Sequence, residues 1–370
     1  MKISFIIGTR PELIKVAPVI WEAKKRNIEF DIVNTGQHRD LLEPYWIIFK
    51  ISPTHTLNVM KEGQNLSSLT SRALNQIQTY IDTVERKPDV ILAQGDTTTV
   101  MASAMVSFYN AIKFAHLGAG LRSFDLNNPF PEEFNRKVAS ISAAFHLCPT
   151  IVSKANLLAE GVVKDSVHVV GNTVVDALDK ISSDANFVNL DWKNSILRRL
   201  NTFEKVVLIT CHRRENQGAN LTKIIRTIIH LSEQNTSTAF VWTLHPNPNV
   251  QEVVLRSELS AKSNVLLVEP LDYYDILKLL KLAFCAISDS GGIQEEAPSF
   301  ETPVIVLREA TERPEGVDLG VAFLAGANQE RICHYFDLLK SDKITFSRNP
   351  YGDGYSSKRI IDIIYGQNKV

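Results

Sequence analysis

The sequence has little of what marks several common protein classes. Its four cysteines, at positions 148, 211, 285 and 333, are far apart and show no paired spacing suited to zinc or to a redox motif. No apolar run approaches the roughly 18 residues that a membrane-spanning helix needs. The first residues lack the length and cleavage site of a signal peptide. We therefore expect a reduced, cytoplasmic protein with no metal site and no membrane segment.

A strong excess of either charge is also missing. The 40 lysines and arginines oppose 41 acidic residues, which gives a formal net charge of −1. Such a chain has no large basic field to attract polyanions, and this argues against a general nucleic-acid or membrane-surface binder. Any site for a phosphate group must therefore be local.

Short β-rich runs alternate with helical patterns along almost the whole chain. This is the βαβ rhythm of parallel, doubly wound sheets, so we predict an α/β fold. Ligands of such sheets bind at the carboxyl ends of the strands, and many of the predicted strands end in polar or glycine-rich loops. The predicted strands are residues 2–7, 30–34, 90–93, 114–117, 167–170, 206–210, 239–244, 265–268, 283–288 and 304–307.

The length of the chain predicts two domains, since single cores usually stop growing below 370 residues. The strand pattern restarts near residues 161–171, so we place the boundary there, with residues 1–168 in the first domain and 169–354 in the second. The last amphipathic segment, about 355–370, is expected to pack back on the first domain. Its periodicity alone would equally let it cap the second domain.

The first predicted strand ends in a loop that suits a diphosphate. Gly8 permits a tight turn, and Pro11 fits a first helical position. Arg10 and Lys15 add positive charge to a helix start that already favours anions. A capped helix with a solvated arginine would give the same local pattern.

Carboxyl groups follow in two further segments. Asp96 comes after the third strand and before three threonines, and an isolated aspartate in this place is best explained as a helix cap. The next strand leads to residues 118–120, and adjacent parallel strands would set both loops side by side. This Gly-Ala-Gly lacks the third glycine of a dinucleotide fingerprint, so we do not expect an NAD site. Glu132 and Arg136 lie four residues apart on one helical face.

In the second half, residues 288–296 join a strand to a helix through Ser290, Gly291 and Gly292. The two glycines allow close backbone approach, and the first amides of a helix attract an anion. A phosphate site and an ordinary capped loop both fit this pattern.

Two histidines also follow strands in this half. His212 precedes two arginines, which favours anion binding over a structural role. His245 stands at the end of the next strand. Arg313 lies in a charged run that either faces solvent or binds ribose or phosphate.

Taken together, these segments resemble the non-hydrolysing UDP-N-acetylglucosamine 2-epimerase family, in the same order over nearly the whole chain. The matching segments are Gly8–Glu12, Gly36–Arg39, Gly95–Thr99, Ala119–Arg122, Pro131–Glu133, Gly171–Thr173, His212–Asn216, Ser288–Glu296, Thr311–Gly316 and Asn349–Gly354.

The resemblance implies two Rossmann-like, doubly wound domains facing a cleft, as in GT-B glycosyltransferases. It also implies interconversion of UDP-GlcNAc and UDP-ManNAc, which supplies precursors of surface polysaccharides. In this family the C2 proton is removed as UDP leaves, 2-acetamidoglucal forms, and UDP then adds back. No cofactor is implied, UDP and a UDP-N-acetylhexosamine are the expected ligands, and a homodimer is expected.

Carried over by position, the resemblance gives Asp96 and Glu132 the acid–base work, with His212 as a third catalytic residue. Glu296 would hold the ribose hydroxyls. The full set assigned to substrate binding is Arg10, Lys15, Arg136, Asn172, His212, Ser290, Gly291, Gly292, Glu296 and Arg313.

Three positions depart from the family pattern. Gly118 replaces a glutamate of the family, Asp40 replaces a glutamine, and Gly63 replaces an arginine. An acid in place of an amide and the loss of a cation both weaken diphosphate binding. We therefore expect a second, activating UDP-GlcNAc site to be degraded. Its residues are Gln37, His38, Asp40, Gly63 and His245.

Other interpretations stay open at this point. One is a hydrolysing epimerase that releases ManNAc and UDP, and another is a 2-epimerase of a UDP-diacetamido-uronic acid. A third, prompted by Gly118, is a sugar-nucleotide binder with little or no catalysis.

Overall fold

A computed structural model describes residues 1–37, 39–61, 63–184, 187, 191–245, 247–341, 344, 346 and 348–366, without the side chains of residues 39–41, 248 and 249. The chain divides into two compact units. The first is Met1–Asp179 together with the segment from Tyr351 onward, and the second is Lys180–Pro350.

The strands and helices follow one another in the predicted alternation. The strands are β1 (Lys2–Ile7), β2 (Glu29–Asn34), β3 (His55–Thr56), β4 (Val90–Gln94), β5 (Lys113–Leu117), β6 (Ala143–Cys148), β7 (Val167–Val169), β8 (Lys205–Thr210), β9 (Thr238–Thr243), β10 (Val265–Val268), β11 (Cys285–Ser288), β12 (Val304–Val306) and β13 (Ala322–Leu324). The helices are α1 (Arg10–Lys25), α2 (Arg39–Phe49), α3 (Leu66–Thr83), α4 (Thr98–Tyr109), α5 (Glu132–Ser142), α6 (Ile151–Ala159), α7 (Thr173–Ser182), α8 (Ala219–Gln234), α9 (Pro248–Leu255), α10 (Tyr273–Leu282), α11 (Gly291–Glu296), α12 (Pro314–Asp318), α13 (Gln329–Ser341) and α14 (Ser356–Gly366).

The first unit contains a parallel sheet with the strand order β3-β2-β1-β4-β5-β6-β7. All six residues of β1 are buried, as expected for a central strand covered by helices on both faces. On one face, Ile6 and Ile91 pack with Ile77 of α3 and Val100 of α4. The last helix, α14, packs on α1 in this unit, where Arg26 Nη1 lies 2.6 Å from Asp362 Oδ1.

The strand at residues 167–170 was wrongly expected to begin the second domain. In the structure β7 pairs with β6, with Leu147 opposite His168, and forms the edge of the first sheet. The prediction missed β6 because α5 runs into it at Ala143 with no turn residue between them. The first unit therefore extends through most of α7, to Asp179, rather than to residue 168.

The second unit contains a parallel sheet with the order β10-β9-β8-β11-β12-β13. Its core is mainly aliphatic, and the aromatic side chains of Phe240 and Trp242 of β9 and Phe336 of α13 are fully buried in it. The predicted α/β class with two doubly wound sheets is confirmed. The short strands β3 and β13 were not predicted.

Each sheet has a topological switch point, where the strand order reverses. It lies between β1 and β4 in the first unit and between β8 and β11 in the second. Ligands of open α/β sheets bind outside the carboxyl ends of the strands at such points. In each unit, a ligand site is therefore expected at the loops that follow these strands.

Among the described residues, no helix is both long and apolar enough to cross a membrane.

Candidate functional site

In the first unit, the loop after β1 is built around the side chain of Glu12. Glu12 is 1 % exposed and accepts hydrogen bonds from the Gly8 amide at 2.6 Å, the Thr9 hydroxyl at 2.9 Å and the Thr97 hydroxyl at 2.8 Å. Burial raises the pKa of Glu12 to about 7, against the opposing effect of these bonds. One buried carboxyl group thus ties the loop after β1 to the loop after β4.

The cations predicted for this loop lie at the start of α1. Arg10 is exposed, with its guanidinium carbon 5.7 Å from the ring centroid of Tyr45. The backbone carbonyl of Lys15 accepts a bond from Thr173 Oγ1 at 2.6 Å. A side chain at Gly8 would overlap with Thr99 Oγ1, so this glycine is required for close packing.

The loop after β4 presents Asp96 to the start of α5. Arg136 donates to Asp96 Oδ2 from Nε at 3.0 Å and from Nη2 at 2.7 Å, and Asn135 Nδ2 donates to the Asp96 carbonyl at 2.8 Å. Arg136 also pairs with buried Glu133 at 2.9 Å. Burial would lower the pKa of Arg136, but Asp96 and Glu133 hold it above its usual value. The structure therefore brings the predicted residues Asp96 and Arg136 together.

The two acids at the start of α5 have different surroundings. Glu133 Oε2 is committed to Arg136 and to the Ser123 amide, at 2.9 and 3.1 Å. Glu132 Oε2 and the other oxygen of Glu133, Oε1, are both buried and have no hydrogen-bond partner among the described residues. These two oxygens keep unused lone pairs in a protected place. Glu133 was missed by the sequence prediction, although its three-residue spacing to Arg136 is a helical signal.

The loop after β5 contains Gly118 in the left-handed region, with φ +81°. A Cβ atom there would lie 3.2 Å from Gln94 Nε2. The buried ring of His116 donates from Nε2 to the Gly95 carbonyl at 2.7 Å. Burial lowers the pKa of His116 to about 4, so this ring stays neutral near pH 7 and holds the backbone next to Asp96.

Asn172 lies where the two stretches of chain that form the first unit meet. Its amide donates to the Tyr351 carbonyl at 2.8 Å, and its side-chain oxygen accepts from the Val174 amide at 3.1 Å. Both contacts join backbone segments within this unit. They explain the burial of Asn172 without a ligand.

The residues predicted for a second nucleotide site are described only in part. Gln37 Oε1 accepts from Thr99 Oγ1 at 2.8 Å. Gly63 has φ +68°, and no heavy atom of the described residues lies within 4 Å of a Cβ built there. His38 and the side chain of Asp40 lie outside the described residues. His245 belongs to the second unit.

In the second unit, Asp289 organises the loop after β8. Its fully buried carboxylate accepts from the amides of His212 and Arg213, both at 2.9 Å, and from Asn216 Nδ2 at 2.9 Å. The ring atom Nδ1 of His212 lies 3.1 Å from Asp289 Oδ1. Burial would raise the pKa of Asp289, but His212 and the N–H donors lower it to about 2. His245 stacks on His212 with ring centroids 5.6 Å apart.

The glycine turn after β11 packs against Arg313. A Cβ at Gly291 would lie 2.7 Å from the guanidinium carbon of Arg313, so a larger residue would displace the end of that side chain. Arg313 Nε donates to Glu295 Oε1 at 2.7 Å. Ser290 caps α11 by accepting from the Ile293 amide at 3.4 Å.

Further along this edge, Glu296 Oε1 accepts from the hydroxyl of Tyr273 at 3.1 Å. Arg308 pairs with Glu312 at 2.8 Å and with Glu215 at 3.0 Å. Burial would raise the pKa of Glu312, but Arg308 and Arg313 lower it to about 2. These buried arginines and fixed carboxylates form a strongly polar wall at the carboxyl end of the second sheet.

No group of three or more histidine, cysteine and acidic side chains suited to a metal ion is present in the part of the chain that the structure describes. Sequence reasoning also missed Glu12 and Asp289, since neither the short motif around Glu12 nor the Ser-Asp-Ser run around Asp289 shows which loop the carboxyl group will hold.

Comparison with known proteins identifies relatives over the full length of the chain. The model of the UDP-N-acetylglucosamine 2-epimerase family matches residues 22–365. A UDP-N-acetylglucosamine 2-epimerase of Campylobacter jejuni is 40 % identical over 380 residues, covering 99 % of this chain and 98 % of the relative. A relative of the same name from Yersinia pestis is 39 % identical over 370 residues, covering 98 % of this chain and 97 % of its own.

Solved structures agree with these relatives. The Neisseria meningitidis UDP-GlcNAc 2-epimerase bound to UDP-GlcNAc has a TM-score of 0.91 and 39 % identity, covering 99 % of this chain and all of that chain. The Methanocaldococcus jannaschii UDP-GlcNAc 2-epimerase in complex with UDP-GlcNAc and UDP has a TM-score of 0.84 and 34 % identity, with coverage of 99 % and 100 %. Both similarities extend over both units.

Proposed function

The chain belongs to the UDP-N-acetylglucosamine 2-epimerase family, and from this premise we propose that it interconverts UDP-GlcNAc and UDP-ManNAc by elimination and re-addition of UDP. The observation that carries the proposal is in the first unit. Asp96 is fixed by two bonds from Arg136, and Glu132, on the same helix as Arg136, keeps a buried oxygen without a partner among the described residues.

The proposed chemistry begins with removal of the C2 proton of the sugar by one of these carboxylates. The C1–O bond to UDP breaks as the C1–C2 double bond of 2-acetamidoglucal forms, and UDP carries away the bonding electrons. A proton is then delivered to the other face of C2, and UDP adds back to C1. An α-amide C–H is a poor acid, so a placed base is needed, and such bases typically contribute 10²–10⁴-fold in rate.

The second unit is proposed to hold UDP. His212 and Arg213 stand on one turn fixed by Asp289, and Arg313 packs against Gly291. Cationic and N–H donors near a leaving diphosphate neutralise the charge that develops on it. We assign Ser290, Gly291, Gly292 and His212 to the diphosphate and Glu296 to the ribose.

In the first unit, Arg10, Lys15 and Arg136 are proposed to orient the sugar diphosphate. The assignment rests on the helix start at Arg10 and on the pairing of Arg136 with Asp96. Asn172 is assigned by family position alone. We also propose that the second nucleotide site is degraded. If so, added UDP-GlcNAc does not speed the turnover of UDP-ManNAc.

The proposed setting is a cytoplasmic homodimer that supplies surface-polysaccharide precursors. Apolar side chains on α4 and α5 support a protein contact in the first unit, since Phe108, Tyr109 and Ile141 are 70, 69 and 86 % exposed. Light scattering of the purified chain, with an Ile141→Asp variant beside it, measures the oligomeric state. A monomeric wild type would remove the dimer from the proposal.

A second candidate function is sugar-nucleotide binding without turnover, and Gly118 is the observation that favours it. No carboxylate is available from this position at the end of β5. The hydrolysing and diacetamido-uronic interpretations keep the same fold and differ only in product or substrate.

Incubation with UDP-GlcNAc in deuterated water, followed by NMR of the sugar, separates these functions. Deuterium at C2 together with UDP-ManNAc supports the proposal, and free ManNAc indicates hydrolysis. Unchanged UDP-GlcNAc that still binds supports the second candidate. The same incubation with a UDP-diacetamido-uronic acid tests the alternative substrate. A Gly118→Glu variant that gains rate would show that a missing carboxylate limits turnover, and no gain in a variant that folds and binds UDP-GlcNAc would dismiss that concern.

A further inference from the structure

One buried carboxylate, Asp289, reaches both the backbone and the ring of His212. Its Oδ2 accepts three N–H bonds at 2.9 Å, from the amides of His212 and Arg213 and from Asn216 Nδ2. Its Oδ1 lies 3.1 Å from His212 Nδ1. The side chain of Asp289 is fully buried, whereas that of His212 is 37 % exposed. The ring is therefore anchored at its inner nitrogen and open at its outer edge.

The direction of the anchoring bond follows from the donors. An ionised carboxylate only accepts, so the ring nitrogen facing Asp289 must carry a hydrogen. The titratable groups that face the ring are Asp289 from the loop after β11 and His245 from the loop after β9. His245 covers one face of the ring. Because Nδ1 faces Asp289, Nε2 is the ring nitrogen able to meet a ligand.

We propose that Asp289 is a positioning residue for His212, fixing the ring with Nδ1–H on the carboxylate so that Nε2 points to a phosphate oxygen of a nucleoside diphosphate. The inference rests on the proposed function for the identity of that ligand. A ring that donates to the carboxylate and to the phosphate together is an imidazolium, and such charge-assisted bonds are about twice as strong as neutral ones.

The decisive variant is Asp289→Asn. Its amide oxygen stays with the N–H donors that Oδ2 now serves, so its NH₂ group faces His212 Nδ1, and the ring must accept there and carry its hydrogen on Nε2. We expect ¹⁵N NMR of labelled histidine, assigned with His212→Gln, to show Nδ1–H in the free wild type and Nε2–H in the variant. We also expect UDP to bind the variant about tenfold more weakly, since a neutral donor replaces a charged one.

A double-mutant cycle distinguishes positioning from a general structural role. If Asp289 acts through His212, the double variant Asp289→Asn/His212→Gln binds UDP no more weakly than His212→Gln alone. The proposal would be overturned if the losses of UDP affinity in the two single variants multiplied in the double variant. It would also be overturned if His212 carried its hydrogen on Nε2 in the free wild type.

The matched control is Asp275→Asn. Asp275 is also buried and accepts from the amides of Lys193 and Asn194, at 3.4 and 3.2 Å. It should lower thermal stability and leave UDP affinity unchanged. If Asp289→Asn does not fold, the tautomer of the wild type alone still decides. If the wild type binds UDP but yields no epimer, the proposed function fails, while the tautomer and the binding cycle still test this inference.

Discussion

Glu12 and Asp289 are two buried carboxyl groups at the switch points of the two sheets, yet their acidities move in opposite directions. The pKa of Glu12 is raised to about 7 and that of Asp289 is lowered to about 2. Glu12 receives bonds from amides and hydroxyls only, and these neutral donors do not offset complete burial. Asp289 adds His212 to a similar set of N–H donors. The added contact with His212 decides which effect wins.

The two networks also differ in whether they tolerate a proton. The hydroxyls of Thr9 and Thr97 can accept as well as donate, so a protonated Glu12 still has a partner. The backbone amides on Asp289 can only donate. The first unit therefore keeps a carboxyl group that changes its protonation near neutral pH, and the second keeps a permanent anion.

The largest expected effect tests the proposal that the first unit carries the acid–base groups and the second unit binds UDP. Asp96→Asn should lower kcat by about 10²- to 10⁴-fold, because it removes a proposed acid–base group, and leave UDP affinity unchanged. Rates by NMR and affinity by calorimetry measure both. Asp362→Asn, which removes an exposed partner of Arg26, serves as control. Parallel losses of kcat and UDP affinity in Asp96→Asn would contradict this proposal.

The next effect concerns Glu12 and stability. Because the folded pKa is raised from 4.5 to about 7, the folded state holds the proton longer, and stability falls as pH rises through this window. The loss is about 3 kcal/mol at 1.36 kcal/mol per unit. Urea unfolding between pH 4.5 and 7.5 should show this slope in the wild type and not in Glu12→Gln. Glu29→Gln, at a half-exposed carboxylate, should retain it.

Asp289 should show the opposite slope in acid. Its folded pKa lies below the ordinary 3.8, so its contribution is present above that value and is lost as pH falls through about 2. The loss is about 2 kcal/mol. In Asp289→Asn, the free energy of unfolding should not show this loss as the pH falls. Asp275→Asn is measured alongside as the control. A slope of the same sign for Glu12 and Asp289 would refute the comparison drawn between them.

The smallest effect concerns the backbone beside Asp96. Gly118→Ala should destabilise the protein by about 1 kcal/mol, since φ +81° is unfavourable for a residue with a Cβ atom. Gly366→Ala, where no heavy atom of the described residues lies within 4 Å of the new atom, is the control. Thermal unfolding compares the two, and equal melting temperatures would show that the loop after β5 relaxes without cost.

Much of the fold could be predicted from the alternation of apolar runs, because central parallel strands such as β1 and β8 are buried on both faces. The strand β6 escaped prediction because nothing separates it from α5, and the domain boundary was misplaced as a result. Whether the last helix returns to the first unit could not be decided by periodicity, since both placements need one apolar face.

The candidate site could be predicted only as a set of loops. Strand ends gave Asp96, His212 and Ser290, since motifs after parallel strands share an edge. The partners of these residues depend on distances that no spacing along the chain reports. The choice between Glu132 and Glu133 as partner of Arg136, the packing of Arg313 on Gly291 and the burial of Asp289 are of this kind.

The return of α14 to α1 makes the first unit discontinuous in the chain, whereas Lys180–Pro350 is one uninterrupted stretch. During synthesis the second unit can therefore complete its sheet while the first still waits for its last helix. Ribosomal stalling or cleavage near residue 350 would leave the second unit intact and the first with an uncovered face of α1. The uncovered face of α1 is the feature by which cellular quality control would recognise a chain that lacks its final segment.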